Sequence, residues 1–437
     1  MAQTMAQREV WQRHKPTFYY VILTVLSLVG IVAIAARMIY GMKVTALTSP
    51  MAWGMWVAFY IYFIGLSAGS FLLSTLIYVF GMHQYEKVGR MALLSALFAL
   101  VAGLVFVWID LGHPLRFWKV FTRWNYTSVL AWEILAYLFY IAALALELWY
   151  LMRCDLADLA LRTQGWRRTF YRWLTLRFRC PRDEREYSRC HAQSMRVVKV
   201  LGIIGVPVAI MVHGGTGAIF AVVLAKPYWY TGLFPIIFLV SALASGAALM
   251  TFLYAFFGRK DEEHFAITRG MANLMVLFIS VDLLLLAAEF LVGLYGKIPE
   301  HSKVYHAIMF GPFPYTFWIG QLLMGAFIPI LLAILPRTRN NTFWLGLGGL
   351  SAVMGIVAVR LNLVIPAYVV PVLEGLDHAI NQPRWAYHYF PSFWEWASSI
   401  GVIAFVVLLF SITFRLLPLF HEFPQRFQRD EGGVAHV

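Results

Sequence analysis

Apolar residues dominate ten stretches of the chain, near 18–40, 53–81, 91–111, 126–151, 198–224, 230–257, 271–295, 313–335, 343–365 and 393–417, and polar residues collect in the links between them. A helix rises about 1.5 Å per residue, so each stretch is long enough to cross the roughly 30 Å hydrocarbon core of a bilayer. The pattern predicts an all-α polytopic membrane protein with about ten transmembrane helices. Two groups of four helices are a possible weak repeat, which the letters alone do not establish.

Composition strengthens this reading. With 61% apolar and 13% charged residues among 437, and a mean hydropathy of +0.69, most of the surface must face lipid rather than water. Placing the N-terminus in the cytoplasm puts 25 of the 35 Lys and Arg in the inner segments, as the positive-inside rule requires. Both termini are then cytoplasmic. The net charge of +13 reflects this topology and inner-leaflet phospholipid, and no basic recognition helix points to nucleic acid. Arg8, Arg13 and Lys15 precede the first apolar run as in a signal peptide, but that run is long and lacks a small-residue cleavage site, so it reads as a retained anchor.

One large polar insertion, 153–197, contains WRRTFYRWLTLRFR. Arg alternating with Trp, Phe and Tyr suits either an amphipathic segment on anionic headgroups or a loose basic loop that enforces topology. Cys154, Cys180 and Cys190 all fall there without C-x-x-C spacing, so they hold no iron–sulfur cluster or structural zinc alone and are expected to be reduced thiols. On the outer side, 296–312 and 361–392 are long enough to dock another subunit. The outer link GHPLRFWKVFTRWN departs from the charge rule with Arg116, Lys119 and Arg123, cations suited to an acidic partner or a ligand headgroup.

Ionisable residues inside apolar spans are costly and usually mark a functional interior. Here they are Asp110, Glu133, His213, Asp282, Glu289 and Arg360. Asp110 and His113 end the outward-running third span, Glu133 lies roughly 10 Å below that boundary, and His213 is near the middle of the fifth. A His and carboxylates beside an apolar cavity can hydrogen-bond a quinone carbonyl and carry the accompanying proton. Asp110, His113, Glu133 and His213 are therefore candidate catalytic residues, and Arg116 and Tyr126 join them as quinone-binding candidates. Plainer readings stand beside these: an Asp110–Arg116 interfacial ion pair, an exposed His113, a structural His213, and mutual neutralisation of Glu289 and Arg360. Gly214, Gly215 and Gly217 beside His213 suit tight helix packing or room for a flat ligand.

Glu133, Tyr137, Tyr140 and Glu147 share one face of the fourth span, spread over about 21 Å. They are candidates for a proton route from the cytoplasm, with Asp282, Glu289 and Arg360 as further members; packing aromatics and an interfacial Glu147 are the alternative. Because only His213 is deep, a haem held by two imidazoles is not expected, and no metal site is expected either. Electrons must then come from a partner. A secondary transporter is the competing class, since buried carboxylates and Gly-rich helices occur there too.

The motifs WGMWVAFYIYFIGLSAGS, IDLGHPLRFW, NYTSVLAWE, AAEF around Glu289, AVRLN around Arg360 and YFPSFWEWASSIG, in this order, resemble the NrfD/PsrC family, particularly the ten-helix branch that includes the HybB hydrogenase subunit. The resemblance covers most of the chain. It implies a multi-pass subunit of the bacterial inner membrane with four-helix bundles at 53–228 and 229–365. A first helix and outer loop at 18–52, an outer loop at 366–392 and a tenth helix at 393–417 flank them, between cytoplasmic ends at 1–17 and 418–437. It further implies a quinone or quinol near the outer face, no haem or cluster in this chain, and a docked ferredoxin-like iron–sulfur subunit. That partner would connect to a molybdopterin enzyme, a hydrogenase or a multihaem cytochrome holding the terminal catalytic centre. The 153–197 insertion is larger than the resemblance implies.

Overall fold

The structure, a computed structural model, describes residues 17–420 apart from 177, 180 and 182 and the side chain at 83. The N-terminal segment before 17, the tail beyond 420 and Cys180 lie outside the described residues. Among those described there is no strand, and ten helices are long and apolar enough to cross a membrane. In chain order they are α1 (Thr17–Tyr40), α2 (Met55–Tyr78), α3 (Glu86–Asp110), α4 (Val129–Arg162), α6 (Glu184–Ala221), α7 (Phe234–Phe257), α8 (His264–Tyr295), α10 (Tyr315–Ile334), α11 (Thr342–Val364) and α12 (Phe393–Leu416). Two shorter helices, α5 (Trp166–Leu174) and α9 (Pro299–Met309), interrupt the links.

Caps explain several of the boundaries. Ser128 accepts from the Ala131 amide at the start of α4, Asn341 from Phe343 at α11, and Ser392 with Glu395 closes a reciprocal capping box at α12. Each satisfies amides that the first helical turn leaves without intrahelical partners. α10 opens with wide π-helical turns over Tyr315–Phe327. There the Ile328 amide bonds Leu323 O, and the Met324 carbonyl accepts from Ser351 Oγ at 2.8 Å, just ahead of Pro329, which has no amide hydrogen to offer.

In chain order α2, α3, α4 and α6 make a first group and α7, α8, α10 and α11 a second, with α1 paired to α12, and packing runs across the groups as well as within them, α2 and α6 both lying against α7. The two groups meet where α2 crosses α7. A Cβ on Gly69 would overlap Ala242 O, and one on Gly246 would overlap Gly69 C, so the backbones themselves are in contact. Gly30 and Gly401 make the same kind of approach between α1 and α12. In a bilayer the helices gain little hydrophobic energy by leaving lipid, so this close packing holds the groups together.

Of the two readings of the 153–197 insertion, its described residues depart from the loose loop and include a helix in the Arg- and aromatic-rich segment. α4 and α6 continue as helices well past their apolar portions, and α5 folds back on α4, with Tyr171 buried and donating to Leu416 O at 2.8 Å. Hydropathy sees only the lipid-facing length. The polar start of α6 is instead held by Asp183 as N-cap and by Glu184 and Glu186 in the first turn. Trp166, Trp173, Arg167, Arg168 and Arg172 of α5 stay exposed. At this junction Arg90 of α3 is buried and bonds Asp155, Leu151 O and Pro418 O, while Tyr187 donates to the other Asp155 oxygen. Arg90→Met removes the buried cation that faces Asp155 and leaves its charge uncompensated by that partner, and is expected to cost about 3–5 kcal/mol, read as a lowered unfolding midpoint in detergent.

Two further expectations are corrected here. Cys154 and Cys190 are joined as a disulfide rather than standing as free thiols. The 296–312 link is not an open loop but contains α9, whose Val304, Tyr305 and Ile308 are buried, Tyr305 against Phe290 and Tyr228.

Candidate functional site

Glu133 lies one turn inside α4 with 2% of its surface exposed. Its Oε1 receives Tyr60 OH of α2 at 2.9 Å, Tyr137 OH at 2.9 Å and Thr216 Oγ1 of α6, and the two phenols stand 2.8 Å apart. Its Oε2 has no partner. A buried acceptor without a donor costs about 1–3 kcal/mol, so a group left in this state invites a functional explanation. Three helices bring the cluster together, because Glu133 and Tyr137 are one turn apart on α4 while Tyr60 and Thr216 face them from neighbours.

The surroundings leave room on the α6 side. A Cβ on Gly215 would still be 3.9 Å from Glu133 Cγ, so the glycine leaves a methyl-sized gap beside the carboxylate. Gly217 is different: a Cβ there would fall 2.9 Å from Phe234 O, which makes it a packing residue.

His213, one turn before Thr216, is wholly buried, and neither ring nitrogen makes a well-formed hydrogen bond. It sits against Gly65 of α2 and 5.6 Å from the Phe238 ring of α7. Arg360 of α11 reaches the same place, donating to Ser241 at 2.8 Å and lying over Phe238 at 5.2 Å. His213 is therefore at the seam between the two helix groups. The acid that acts electrostatically on Arg360 is Asp282 rather than the expected Glu289, which instead acts on Tyr228 and Tyr305. Asn362, next but one to Arg360, joins Gln321 and Thr316 of α10 by bonds of 2.8 and 2.7 Å.

Asp110 occupies a separate polar nest at the end of α3. Arg37 of α1, which the hydropathy pattern hid in an apolar run, caps α3 by donating to Ile109 O at 3.0 Å and Leu111 O at 2.6 Å. Its guanidinium, rather than that of Arg116, stands beside Asp110. Glu395 is near as well; it accepts from the Ala46 and Ser392 amides and from Tyr389, whose oxygen in turn accepts from the Met55 amide. Glu395 is thus a structural tie between α12 and the 41–54 loop. One Asp110 oxygen has no partner.

An aromatic patch joins the end of α6 to the link that follows it and to Tyr368. Phe220, one turn beyond Thr216, meets Trp229 at 5.0 Å and Trp53 at 5.3 Å, and Trp229 meets Tyr368, the neighbour of Asp110, at 5.1 Å. Lys226 caps the patch from the adjoining loop, 4.6 Å from the Tyr368 ring centre and donating to Ala367 O at 2.8 Å; burial pushes its ammonium pKa down to about 8. Hydropathy could not single out Trp53, Phe220 or Trp229 from belt aromatics, and Tyr60 and Thr216 carried no charge to flag them.

His113, Arg116 and Tyr126 are exposed in the link that follows α3, with Tyr126 edge-on to Trp124. Leu115, Phe117, Trp118 and Phe121 are exposed beside them. Along α4, Tyr140 pairs with Ser67 at 3.3 Å, and Glu147 is buried with Oε1 unpartnered. The four polar groups of α4 thus share the interior face, as their spacing predicts.

The family described as "Polysulphide reductase, NrfD" matches residues 43–372. The protein is 49% identical to the C subunit of the selenate reductase of Mesobacillus selenatarsenatis, over 92% of its own length and 94% of that protein. It is 27% identical to an Hdr-like menaquinol oxidoreductase integral membrane subunit of Archaeoglobus fulgidus, with 92% and 94% of the two proteins covered. It is 22% identical to the menaquinone reductase integral membrane subunit of Nitratidesulfovibrio vulgaris, over 87% of its own length and 86% of that protein. A match over most of the length, on ten apolar helices, makes this protein a member of the NrfD family of polytopic membrane proteins.

Proposed function

We propose that this protein is the quinone-reactive membrane subunit of a respiratory oxidoreductase complex, with the quinone headgroup held between Glu133 and the Trp53–Phe220–Trp229 patch. The observation that carries the reading is the unpartnered Glu133 Oε2 beside the gap at Gly215. These residues suit a quinone: a carboxyl and two phenols for its oxygens and aromatic side chains for its ring. The relatives named as menaquinol oxidoreductase and menaquinone reductase membrane subunits support the same class. When bound, the quinone supplies two-electron, two-proton redox chemistry.

The protein's own part is proton handling. Tyr60, Tyr137 and Thr216 all donate to Glu133 Oε1, so the unpartnered Oε2 is the oxygen left to take or release a proton. Glu133 takes or releases that proton, and the phenols relay it along α4 towards Ser67, Tyr140 and Glu147. Asp110 and His213 serve as the outer and central polar groups of the site, and Asp282, Glu289 and Arg360 belong to a route through the second helix group. The basic face with α5 lies in the cytoplasm of a bacterial inner membrane. His113, Arg116 and Tyr126 stand on the opposite surface, where an iron–sulfur subunit brings electrons from a further catalytic subunit.

A photoreactive quinone analogue added to the assembled complex is expected to label peptides of α2, α4 and α6 around Tyr60, Glu133 and Gly215. Labelling confined to lipid-facing positions would reject the site. Glu147→Gln is expected to retain quinone chemistry while proton uptake from the basic face falls by about tenfold or more in vesicles. Unchanged uptake would remove Glu147 from the route.

A further inference from the structure

Cys154 and Cys190, 36 residues apart, bridge α4 to α6 where both helices have passed beyond their apolar lengths. Both sulfurs are nearly enclosed. Ser194 on α6 lies 3.9 Å from Cys154 Sγ and accepts from Arg153 at 2.9 Å. The bridge therefore sits inside a built junction, with the Arg90–Asp155–Tyr187 network on its other flank. These polar ties join the same elements independently of the sulfurs, so the junction has other bonds to keep its order when the bridge opens.

The junction walls a cavity of about 520 Å³ at the basic face. Leu151, one turn before Cys154, and His191, directly after Cys190, line it together with Tyr78 and Lys87 of one helix group and Glu263 and Ile267 of the other. Tyr78 lies within electrostatic reach of Glu147, the buried carboxyl with an unpartnered oxygen. The disulfide thus clasps α4, the helix that carries Glu147, to α6 beside this cavity.

We propose that Cys154 and Cys190 form a reversible redox clasp that sets how tightly the α6 extension closes this cavity. The inference rests on the cytoplasmic placement of the basic face proposed above. Disulfides in a thiol-reducing compartment are usually transient and regulatory, whereas one in an oxidising compartment is a lasting staple. Opening needs a cellular dithiol: its thiolate attacks one sulfur, a mixed disulfide forms, and its second thiol resolves it. The Cys154–Cys190 bond breaks, the reductant's sulfurs become bonded, and two electrons and two protons pass to the clasp. With the tie gone, the segment carrying Tyr187, Cys190 and His191 moves more freely against α4.

The test uses full-length protein in native membranes, with Cys180→Ser so that two thiols remain to be counted. Thiols are trapped by acid, blocked, and the bridged fraction is read by maleimide mass-tagging after equilibration with graded ratios of reduced to oxidised dithiothreitol. The bridged fraction is expected to follow the ratio reversibly, and amide hydrogen exchange over 184–195 to rise several-fold on reduction. Cys154→Ser and Cys190→Ser are each expected to show the faster exchange without reductant. Sulfurs that never pair under oxidant, or exchange that is unchanged on reduction, would overturn the clasp. A bridge that resists reductant until the protein unfolds would make it a staple and overturn it too. Impermeant maleimide on intact cells, read at a cysteine placed at exposed Ser188, separates an error in sidedness from an error in redox behaviour. None of these readouts depends on quinone turnover.

Discussion

Glu133→Gln is expected to lower quinol-dependent turnover of the assembled complex by about 10²- to 10³-fold, the usual weight of a positioned proton-transfer group. The amide keeps the size of the side chain and an oxygen to accept from Tyr60 and Tyr137, so helix packing and assembly stay intact. It cannot take up or release the proton at the position of the unpartnered Oε2. The loss therefore falls on kcat, with KM little changed. Gly215→Ala provides the complementary result. Its methyl has 3.9 Å to Glu133 Cγ and fits the fold, but it occupies the gap and is expected to raise KM for quinol while leaving the thermal midpoint unchanged. Steady-state kinetics with a soluble quinol and an artificial acceptor check both. Wild-type turnover in Glu133→Gln, with normal assembly, would move the chemistry elsewhere.

Gly69→Leu is expected to abolish stable assembly. The first carbon of the new side chain would overlap Ala242 O, and the obstacle is backbone, which no rotamer change can clear. Overpacking usually costs about 1–3 kcal/mol, and a helix pair forced apart along its contact exceeds that range. The consequence extends to the site, because α2 carries Tyr60 to Glu133 and Gly65 to His213 and Arg360. Detergent-solubilised protein followed by size-exclusion and thermal unfolding should show aggregation or a steep loss of midpoint. Gly41→Ala is the contrasting case: with φ at +70° it is strained locally, yet nothing lies within 4 Å of the new carbon, so the helix groups stay joined.

The ten spans and the all-helical class were legible because the bilayer imposes one length and one polarity on every crossing helix. The stripe from Glu133 to Glu147 was legible for a related reason, since spacing along a helix decides which side chains share a face. Helical periodicity also continues where hydropathy stops, and the extensions of α4 and α6 were missed for that reason.

Which helix stands opposite which face was decided by tertiary packing alone. Asp110 feels the charge of Arg37 from α1 rather than Arg116 six residues away, and Arg360 bonds Ser241 and feels the charge of Asp282 rather than Glu289. Cys154 and Cys190 come from different helices, and Tyr60 and Thr216 reach Glu133 from α2 and α6, so each of these pairings depends on how the helices pack. In lipid, apolar pattern orients a helix only weakly towards its partners, because the tails are as apolar as the core. Close backbone approach and buried hydrogen bonds choose the pairing, and neither can be read from the order of the residues.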